Sequence, residues 1–425
     1  MKKIPIHIEI NGEQNYVGDL IGNTYEDTVF TYADEYIHQN NAHPISISLP
    51  LQDQAFTVKK TKNFFDGLLP EGFVRRSIAQ AMKIDENDYV AILEALGNEC
   101  LGAIKVGNAE NEEEYQLMNL EDVKALAKEG TTQSIQLVTK AHLSLTGASG
   151  KVGLYYDYQN HWYLPIGEAP STHIVKQSHV RLQNIVTNEQ LCLLTANKLG
   201  IKTPKSFIVN TGNGKDEDIL FASERYDRKI TKESRKINGL LRPYRLHQED
   251  FAQALGIGAS EKYEKDIQQQ YLKKIFELIA RKSTDPFADQ LKMIDIILFN
   301  YFIGNNDGHI KNNSLLYNED LSEIRLAPAY DIVSTAIYPT GTKEMAFNIG
   351  GEYDFTKLNS SSFEKMAHEI NVGEKFIFRR FHWLKQHFND ALYESANELM
   401  EKGFDNSLTI ADQIMHCGGI AYYHE

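Results

Sequence analysis

The sequence predicts an α+β fold that is rich in strands near its start and mostly helical in its last part. Alternating apolar residues indicate strands in the first fifty positions, whereas from residue 247 onward apolar residues recur at helical spacing. A chain of 425 residues with 42% hydrophobic positions is long enough for two or three units with a core. We therefore expect three domains, at residues 1–108, 109–245 and 246–425.

Composition excludes several classes of protein. The 44 basic and 58 acidic residues give a formal net charge of −14, which repels nucleic-acid phosphates and disfavours DNA binding by the chain alone. No stretch approaches roughly 18 uninterrupted apolar residues, and the start lacks the apolar segment of a secretion signal. The three cysteines are far apart and have no metal-binding spacing. We expect a cytoplasmic protein without a membrane span.

Strand signals come first along the chain. Isoleucines at every second position from Ile4 to Ile10 predict a strand, and Asn11-Gly12 predicts a hairpin turn after it. Residues 29–32 and 45–49 are further strand candidates. From Asn63 the apolar spacing becomes helical, with a break around Pro70.

The middle of the chain mixes strands with one helix. The acidic run over residues 107–115 predicts a solvated linker at the first domain boundary. Residues 187–190 resemble a capping box that begins a helix, which Gly200 ends. Residues 207–209 and 219–222 flank a turn and predict a hairpin. Further helices are expected over residues 248–255, 263–281, 286–303, 363–370, 376–400 and 408–415.

The polar loop after the apolar helix 286–303 is the most informative segment for function. Asp307 and Asn312 have the D-x-x-x-x-N spacing of phosphotransferase catalytic loops. In such loops the Asp accepts the proton of the acceptor hydroxyl, and the Asn oxygen binds magnesium. The alternative is a polar turn in which Asn and Asp side chains bond their own backbone.

A predicted strand pair after this loop brings a second oxygen ligand. Residues 314–317 and 324–327 form a hairpin that returns the chain, with Asp331, to the neighbourhood of Asn312. Amide and carboxylate oxygens are the hard ligands that Mg²⁺ prefers, so the pair predicts a site for Mg²⁺ and ATP phosphates. As an alternative, Asp331 is the N-cap of a helix that begins at Ile332.

Three earlier segments are candidates for nucleotide binding. Lys176 ends a predicted strand and suits a phosphate-binding lysine, with Glu189 as its ion-pair partner; solvated surface charge is the alternative. The small-residue loop at 144–151 offers successive backbone donors to a phosphate, although it lacks the Walker A spacing. Residues 224–228 follow a strand where an adenine-binding hinge between two lobes is expected, and a charged strand end is the alternative.

In this order, the segments resemble the HipA family, the serine/threonine kinase toxins of bacterial type II toxin–antitoxin modules. The resemblance covers most of the chain and implies a two-lobed, protein-kinase-like fold with a β-rich amino-terminal subdomain. The motifs that carry it are ISISLPL at 45–51, FFDGLLP at 64–70, NEQLC at 188–192, ERYD at 224–227, HQEDF at 247–251, NDGHIKN at 306–312, LAPAYD at 326–331 and MAFNIGG at 345–351.

The resemblance also implies residue roles. Asp307 is implied as the catalytic base, Asn312 and Asp331 as the magnesium ligands, and Ser144 as the inhibitory autophosphorylation position. The implied ATP contacts are Thr146, Gly147, Ala148, Ser149, Gly150, Lys151, Lys176, Glu224, Arg225, Tyr226, His309, Lys311, Asn312, Tyr330 and Asp331. Ser149 and Gly150 depart from the usual family pattern, Gly-Ala-Gln, then Glu or Pro, then Lys, and Gly150 adds backbone freedom to the loop.

The function expected from the residues and the resemblance is Mg-ATP-dependent phosphorylation of a protein serine or threonine by a toxin. The family precedent for its protein substrate is an aminoacyl-tRNA synthetase. The implied partner is a helix-turn-helix antitoxin similar to HipB, through which the acidic chain reaches DNA. The alternatives are a catalytically silent nucleotide-binding corepressor scaffold and a small-molecule kinase.

Two features of the sequence have two interpretations each. The first hundred residues either extend the hydrophobic core or offer a docking surface, because buried strands look the same in both cases. The basic pair Arg379-Arg380 is a candidate phosphate contact, with an exposed helix face as the alternative.

Overall fold

The computed structural model describes residues 1–97, 99–108, 112–129, 134–138, 150–178, 182–266, 269–339 and 341–423. The chain divides into two compact units. The first unit comprises Met1–Gln177, Ala222–Ser260 and Leu315–Ile324, and the second comprises Ser178–Phe221, Glu261–Ser314 and Arg325–Glu425. Both units contain helices and strands, as the predicted α+β class requires. The three domain ranges predicted from the sequence stay a prediction.

A four-stranded sheet begins the first unit. The predicted hairpin is confirmed, because the first two strands pair antiparallel on either side of Asn11 and Gly12. Both turn residues have positive φ, 52° and 83°, as a type I′ turn requires. In spatial order the strands are Val29–Tyr32, Glu13–Gly22, Lys2–Ile10 and Ile104–Val106.

The strand predicted at residues 45–49 was wrong, because this segment is a turn closed by an isolated bridge between Ser46 and Leu49. Ser46 Oγ donates to Glu249 Oε2 at 2.5 Å and accepts the backbone N–H of Ser48 at 3.1 Å. Ile45 and Leu49 are buried. Burial does not alternate along the segment, because Ser46 is buried while Ile47 is only partly buried, and side-chain hydrogen bonds replace the ladder of a strand.

The helices of the first unit agree with the sequence in one predicted boundary and differ in another. The break near Pro70 is confirmed, since a helix ends at Phe65 and the next begins at Gly72. The helix predicted from Gln248 begins only at Phe251, where Asp250 and Gln253 form a capping box. The helices are Asp34–Ile37, Val58–Phe65, Gly72–Met82, Tyr89–Leu96, Leu120–Glu129 and Phe251–Leu255.

Another sheet begins inside the stretch predicted as a linker. That prediction was wrong for residues 113–115, because Glu113 accepts a hydrogen bond from Arg242 at 3.2 Å and Tyr115 is buried. The acidic residues here belong to a sheet-edge strand with one buried side chain. The strands run in the order Glu113–Leu117, Trp162–Gly167, Lys151–Tyr156, His173–Gln177 and Ile219–Glu224.

Short strands complete the sheets. Ser206–Asn210 lies next to Ile219–Glu224 and confirms the hairpin predicted there. Three of the remaining groups are strand pairs: Arg228–Lys229 with Tyr244–Arg245, Lys236–Ile237 with Leu240–Leu241, and Glu344–Ile349 with Glu352–Asp354. The fourth is a three-stranded sheet in the order Gln248–Asp250, Ser314–Tyr317 and Ile324–Leu326.

The second unit is mostly helical. The three helices expected near the carboxyl end are confirmed, whereas the helix predicted from Tyr263 begins only at Tyr271. Among the described helices, none combines the length and apolar character needed to cross a membrane. The helices of this unit are Ile185–Lys198, Tyr271–Lys282, Pro286–Ile303, Ser360–Glu369, Glu374–Glu401 and Ser407–Cys417.

The capping box predicted at residues 187–190 was wrong. The helix begins at Ile185 after Asn184, whose φ of 58° is left-handed, and residues 187–190 lie buried within the helix. Asn188 uses its side-chain amide on Ser334, donating to the carbonyl at 2.9 Å and accepting the backbone N–H at 3.1 Å. The polar residues that resemble a capping box in the sequence therefore lie inside the helix, where Asn188 is hydrogen-bonded to a distant segment.

Local signals set both ends of the helix Pro286–Ile303. Asp285 accepts the N–H of Ala288 at its start, Pro286 occupies the first turn, and Gly304 ends it with a φ of 65°. Apolar residues that recur at helical spacing along this helix are buried, namely Ile294, Ile297, Leu298, Tyr301 and Phe302. This helix fixes the point from which the polar loop departs.

Candidate active site

The loop over residues 304–312 is anchored at its first residue. The carbonyl of Gly304 accepts hydrogen bonds from the Ala336 N–H at 3.0 Å and the Thr335 hydroxyl at 3.1 Å. The Ser334 hydroxyl donates to the carbonyl of Ile303 at 2.5 Å. A Cβ on Gly304 would lie 2.5 Å from the Ala336 Cβ, so this close approach requires glycine.

Two asparagines then fix the backbone of Asp307. Asn305 donates its Nδ2 to Asn300 Oδ1 at 3.0 Å and accepts the Asp307 N–H at 3.1 Å. The N–H of Asn306 donates to Thr335 Oγ1 at 2.7 Å. The side chain of Asp307 is nevertheless 53% exposed. A carboxylate is therefore presented to solvent by an immobilised backbone.

The structure brings together the two members of the D-x-x-x-x-N motif. Asn312 Nδ2 donates to the carbonyl of Asp307 at 2.7 Å. This is a bond of the kind that the polar-turn alternative expects, but it uses the amide nitrogen and not Oδ1, the atom that a metal would need. His309 lies beside the same carboxylate, with Nε2 3.9 Å from Asp307 Oδ1.

The return strand places Tyr330 next to this loop, and the proximity of Asp331 to Asn312 stays a prediction. The Tyr330 hydroxyl lies 2.6 Å from Ser314 Oγ and donates to the carbonyl of Lys311 at 3.1 Å. Asp331 has a φ of 52°. The N-cap alternative for Asp331 was wrong, because residues 332–335 are not helical.

Asn312 and Asp331 fit a hard cation. Both side chains are partly exposed, and their oxygens are the donors that Mg²⁺ takes in proteins. The left-handed backbone of Asp331 is uncommon for a residue other than glycine, and such conformations cluster at functional sites. The residues present therefore suit Mg²⁺ and the phosphates that accompany it.

In the first unit, Lys151 and Lys176 stand directly opposite each other on adjacent antiparallel strands. Both side chains are candidates for binding phosphate, and this contact stays a prediction. Glu189 is a buried residue of the second unit, and its pairing with Lys176 stays a prediction.

The residues predicted at the adenine hinge differ in their contacts. Glu224 accepts a hydrogen bond from the Tyr158 hydroxyl, and the Tyr226 hydroxyl donates to Gln248. Arg225 is 3% exposed, and its guanidinium donates to Glu99 Oε1 at 2.9 Å. The side chain of Arg225 thus has a structural contact in the interior, and its contact with ATP stays a prediction.

Glu99 is the centre of a fully buried ion-pair network. Its carboxylate lies 2.9 Å from Arg225, 3.0 Å from Arg228 and 2.7 Å from Arg245. Burial alone would raise the pKa of Glu99, but the three guanidinium groups outweigh it and hold the pKa below its ordinary value. Asp227 adds a second buried carboxylate, bonded to Arg225 Nη2 at 2.8 Å.

Part of the predicted site falls outside the described residues. These positions are Ser144, Thr146, Gly147, Ala148 and Ser149. Gly150 is the first described residue after them, and Lys151 begins a strand.

Matches to family models decide the relationship of this chain to known proteins. Residues 8–107 match the HipA N-terminal domain, and residues 143–399 match the HipA-like C-terminal domain. The chain belongs to the HipA family. Y4mE of Sinorhizobium fredii is 31% identical over 379 residues, which cover 86% of each chain. The serine/threonine-protein kinase toxin HipA of Shewanella oneidensis is 30% identical over 357 residues, covering 80% of this chain and 78% of that protein.

A solved structure confirms the fold. A chain in the complex of HipA, HipB and operator DNA from Shewanella oneidensis matches with a TM-score of 0.79 and 23% identity, covering 98% of this chain and 97% of that one. The predicted α+β fold of the HipA type is therefore confirmed.

Sequence reasoning missed one residue that contacts Asp307. The hydroxyl of Tyr263 donates to Asp307 Oδ1 at 2.5 Å, and its ring meets that of His309 edge-on at 5.3 Å. The sequence pattern predicts Tyr263 at the start of a long helix, where an aromatic residue looks like ordinary packing. Its position 44 residues before Asp307 gives no local signal.

The basic pair on the helix Glu374–Glu401 has contacts that favour the structural alternative for Arg380. The guanidinium of Arg380 forms a two-point ion pair with Asp295, at 2.8 and 2.9 Å, and lies 4.8 Å above the Trp383 ring. Arg379 is exposed. Arg380 therefore joins this helix to the helix that carries the loop.

Proposed function

We propose that this protein is a Mg-ATP-dependent kinase that phosphorylates a serine or threonine of a protein and acts as the toxin of a toxin–antitoxin module. The observation that carries the proposal is Asp307, whose backbone is fixed by Asn305 and Asn312 while its carboxylate faces solvent. Membership of the HipA family supports it, as does the similarity to a serine/threonine-protein kinase toxin.

In the proposed reaction, Asp307 accepts the proton of the acceptor hydroxyl. The hydroxyl oxygen forms a bond to the γ-phosphorus as the bond from that phosphorus to the bridging β,γ-oxygen breaks, and ADP leaves. Asn312 and Asp331 would hold Mg²⁺, which would neutralise phosphate charge when bound. Lys151 and Lys176 supply positive charge for the phosphates.

Replacement of Asp307 by Asn tests the proposal. Because the amide cannot accept the proton, we expect Asp307→Asn to lower phosphate transfer by about 10²–10⁴-fold while ATP still binds. The assay follows transfer from γ-labelled ATP to proteins of a lysate. Asp320→Asn is the matched control, since Asp320 is an exposed loop carboxylate bonded to Ser322 at 2.6 Å.

Each alternative function has its own outcome in this assay. Full transfer by a folded Asp307→Asn protein contradicts the assigned base. Binding of ATP without transfer by the wild-type protein favours the corepressor scaffold. Label that enters small molecules instead of protein bands favours a small-molecule kinase. Mass spectrometry of a labelled band identifies the substrate, for which we propose a translation component such as an aminoacyl-tRNA synthetase.

We further propose a helix-turn-helix antitoxin as partner and Ser144 as an autophosphorylation site. The related HipA was solved with HipB and operator DNA, and the net charge of −14 disfavours DNA binding by this chain alone. Purification from the native host at low salt should recover the partner. Phosphopeptide mapping after incubation with ATP should find label on Ser144; label on Ser149 instead would reassign the site.

A further inference from the structure

The carboxylate of Asp307 is already engaged by a hydroxyl group of the protein. The Tyr263 hydroxyl donates to Asp307 Oδ1 at 2.5 Å, the length of a strong hydrogen bond to a carboxylate. An acceptor hydroxyl must come within about 2.6–3.2 Å of the base that takes its proton. Tyr263 therefore places a hydroxyl where an acceptor hydroxyl would have to bind.

The segments on both sides of Tyr263 are held by hydrogen bonds from Tyr271. Tyr263 lies between two 3₁₀ turns, Ala259–Glu261 and Glu264–Asp266. Tyr271 holds both turns, since its hydroxyl donates to the carbonyl of Glu261 at 2.6 Å and its N–H to Glu264 at 2.7 Å. The contact with Asp307 is thus presented by an anchored segment.

The ring of Tyr263 makes packing contacts that do not depend on its hydroxyl. The ring meets His309 edge-on, with centroids 5.3 Å apart, and His309 is buried. The Nζ of Lys262 lies 5.5 Å from the centroid of the Tyr263 ring. Removal of the hydroxyl alone should therefore leave the ring packed and release only the carboxylate of Asp307.

We propose that Tyr263 is an internal occupant of the acceptor-hydroxyl position and a specificity-determining residue of the kinase. This rests on the proposed function, because it takes Asp307 as the base. A substrate serine or threonine, or a water molecule, must displace the Tyr263 hydroxyl before it is activated. Weakly bound acceptors are thereby disfavoured, since a hydrogen bond to a charged group is worth about tenfold or more in affinity.

A kinetic comparison of Tyr263→Phe with Tyr393→Phe tests the proposal. Tyr393 donates to Asp412 at 2.5 Å, so the control loses the same kind of bond elsewhere in the unit. With Mg-ATP and dephosphorylated casein, Tyr263→Phe should lower the KM for casein about tenfold or more with kcat retained, and should raise ADP release without casein. Tyr393→Phe should change neither quantity.

The opposite kinetic result would show that Tyr263 positions Asp307 and does not occupy the acceptor-hydroxyl position. If Tyr263 only positions Asp307, Tyr263→Phe lowers kcat and leaves the KM for casein unchanged, which overturns the proposal. Absence of transfer by the wild-type protein overturns the proposed function and, with it, the acceptor role of Tyr263. Activity in the wild type with unchanged kinetics in Tyr263→Phe overturns the role of Tyr263 alone.

A second measurement does not depend on turnover. With 3-fluorotyrosine at position 263, the fluorine resonance should shift when Asp307 is replaced by Ala, whereas a label at position 393 should not respond. Addition of casein to the wild-type protein should shift the resonance at 263 in the same direction. A resonance at 263 that ignores the Asp307→Ala change shows that the contact is absent in solution and overturns the proposal.

Discussion

At the scale of single residues, Asp331 combines an oxygen ligand with a left-handed backbone. Because Asn also tolerates this conformation, Asp331→Asn removes the charge without adding strain. Loss of even an outer-shell partner costs about 10- to 100-fold in metal affinity, so we expect Mg²⁺-dependent ATP binding to weaken at least about tenfold. Calorimetry with ATP at several Mg²⁺ concentrations measures this, and equal affinities would remove Asp331 from the metal site.

Lys176 permits a prediction about stability in the presence of ligand. It stands directly opposite Lys151 on the neighbouring strand, and we propose that it contacts the ATP phosphates. Because a ligand that binds only the folded state raises Tm, Lys176→Met should reduce the rise in Tm that Mg-ATP produces. Thermal unfolding of the variant and the wild type, with and without Mg-ATP, measures this rise. An undiminished rise with Mg-ATP would argue against a phosphate contact.

Single-residue patterns also show where sequence reasoning about the site succeeds. Asp307 and Asn312 were identifiable because their spacing alone encodes a chemical arrangement, and the bond between them closes a local loop. Tyr263 was not, because its contact with Asp307 depends on how two separate segments fold together. The structural contact of Arg225 with Glu99 spans 126 positions and was hidden for the same reason.

At the scale of elements, Glu249 holds three segments together. It accepts hydrogen bonds from Ser46 Oγ at 2.5 Å, the Ile47 N–H at 3.1 Å and the Tyr317 hydroxyl at 2.5 Å. Burial, the largest cause, raises the pKa of Glu249 from 4.5 to about 7. The turn, the strand Gln248–Asp250 and the strand Ser314–Tyr317 thus meet at a carboxyl group that favours its protonated form.

The raised pKa of Glu249 makes stability depend on pH. The folded protein binds this proton more tightly than the unfolded chain, so the contribution is complete below about pH 4.5 and is lost as pH rises through 7. The loss amounts to roughly 3 kcal/mol at most. Glu249→Gln should remove this pH dependence, so the variant should gain stability relative to the wild type in urea unfolding between pH 5 and pH 8. Parallel pH curves would contradict this.

Elements were predictable where their signals are local. The helix Pro286–Ile303 was predicted at both ends because Asp285, Pro286 and Gly304 set those ends within the segment. The turn at 45–49 was not, since Ser46 is bonded to a residue 203 positions away. The helix start near residue 187 failed similarly, because Asn188 is bonded to Ser334, 146 positions away.

At the scale of the whole molecule, the amino-terminal segment lies in the same compact unit as Lys151, Lys176 and residues 224–226, which are candidates for nucleotide binding. The HipA N-terminal domain match ends at residue 107, yet the unit extends over Met1–Gln177 and includes residues 222–260. The Glu99 network crosses that boundary, since Arg225, Arg228 and Arg245 lie in the C-terminal match. The contacts favour the interpretation that the first hundred residues extend the core.

This arrangement predicts that Glu99 stabilises the whole unit. Glu99→Gln leaves three buried guanidinium groups without one of their carboxylates, and removal of one partner from a buried ion pair costs about 3–5 kcal/mol. We expect a loss of this size in the free energy of unfolding measured in urea.

Glu94→Gln provides the control, because the Lys2–Glu94 pair is exposed, with 51% and 43% of the side chains accessible. Exposed pairs contribute about 0–1 kcal/mol, so the control should unfold almost like the wild type. If Glu99→Gln were no more destabilising than Glu94→Gln, the network would not join the two matched domains. The amino-terminal segment would then have to be tested as a separable docking module, by deletion of residues 1–107 and measurement of ATP binding by the remainder.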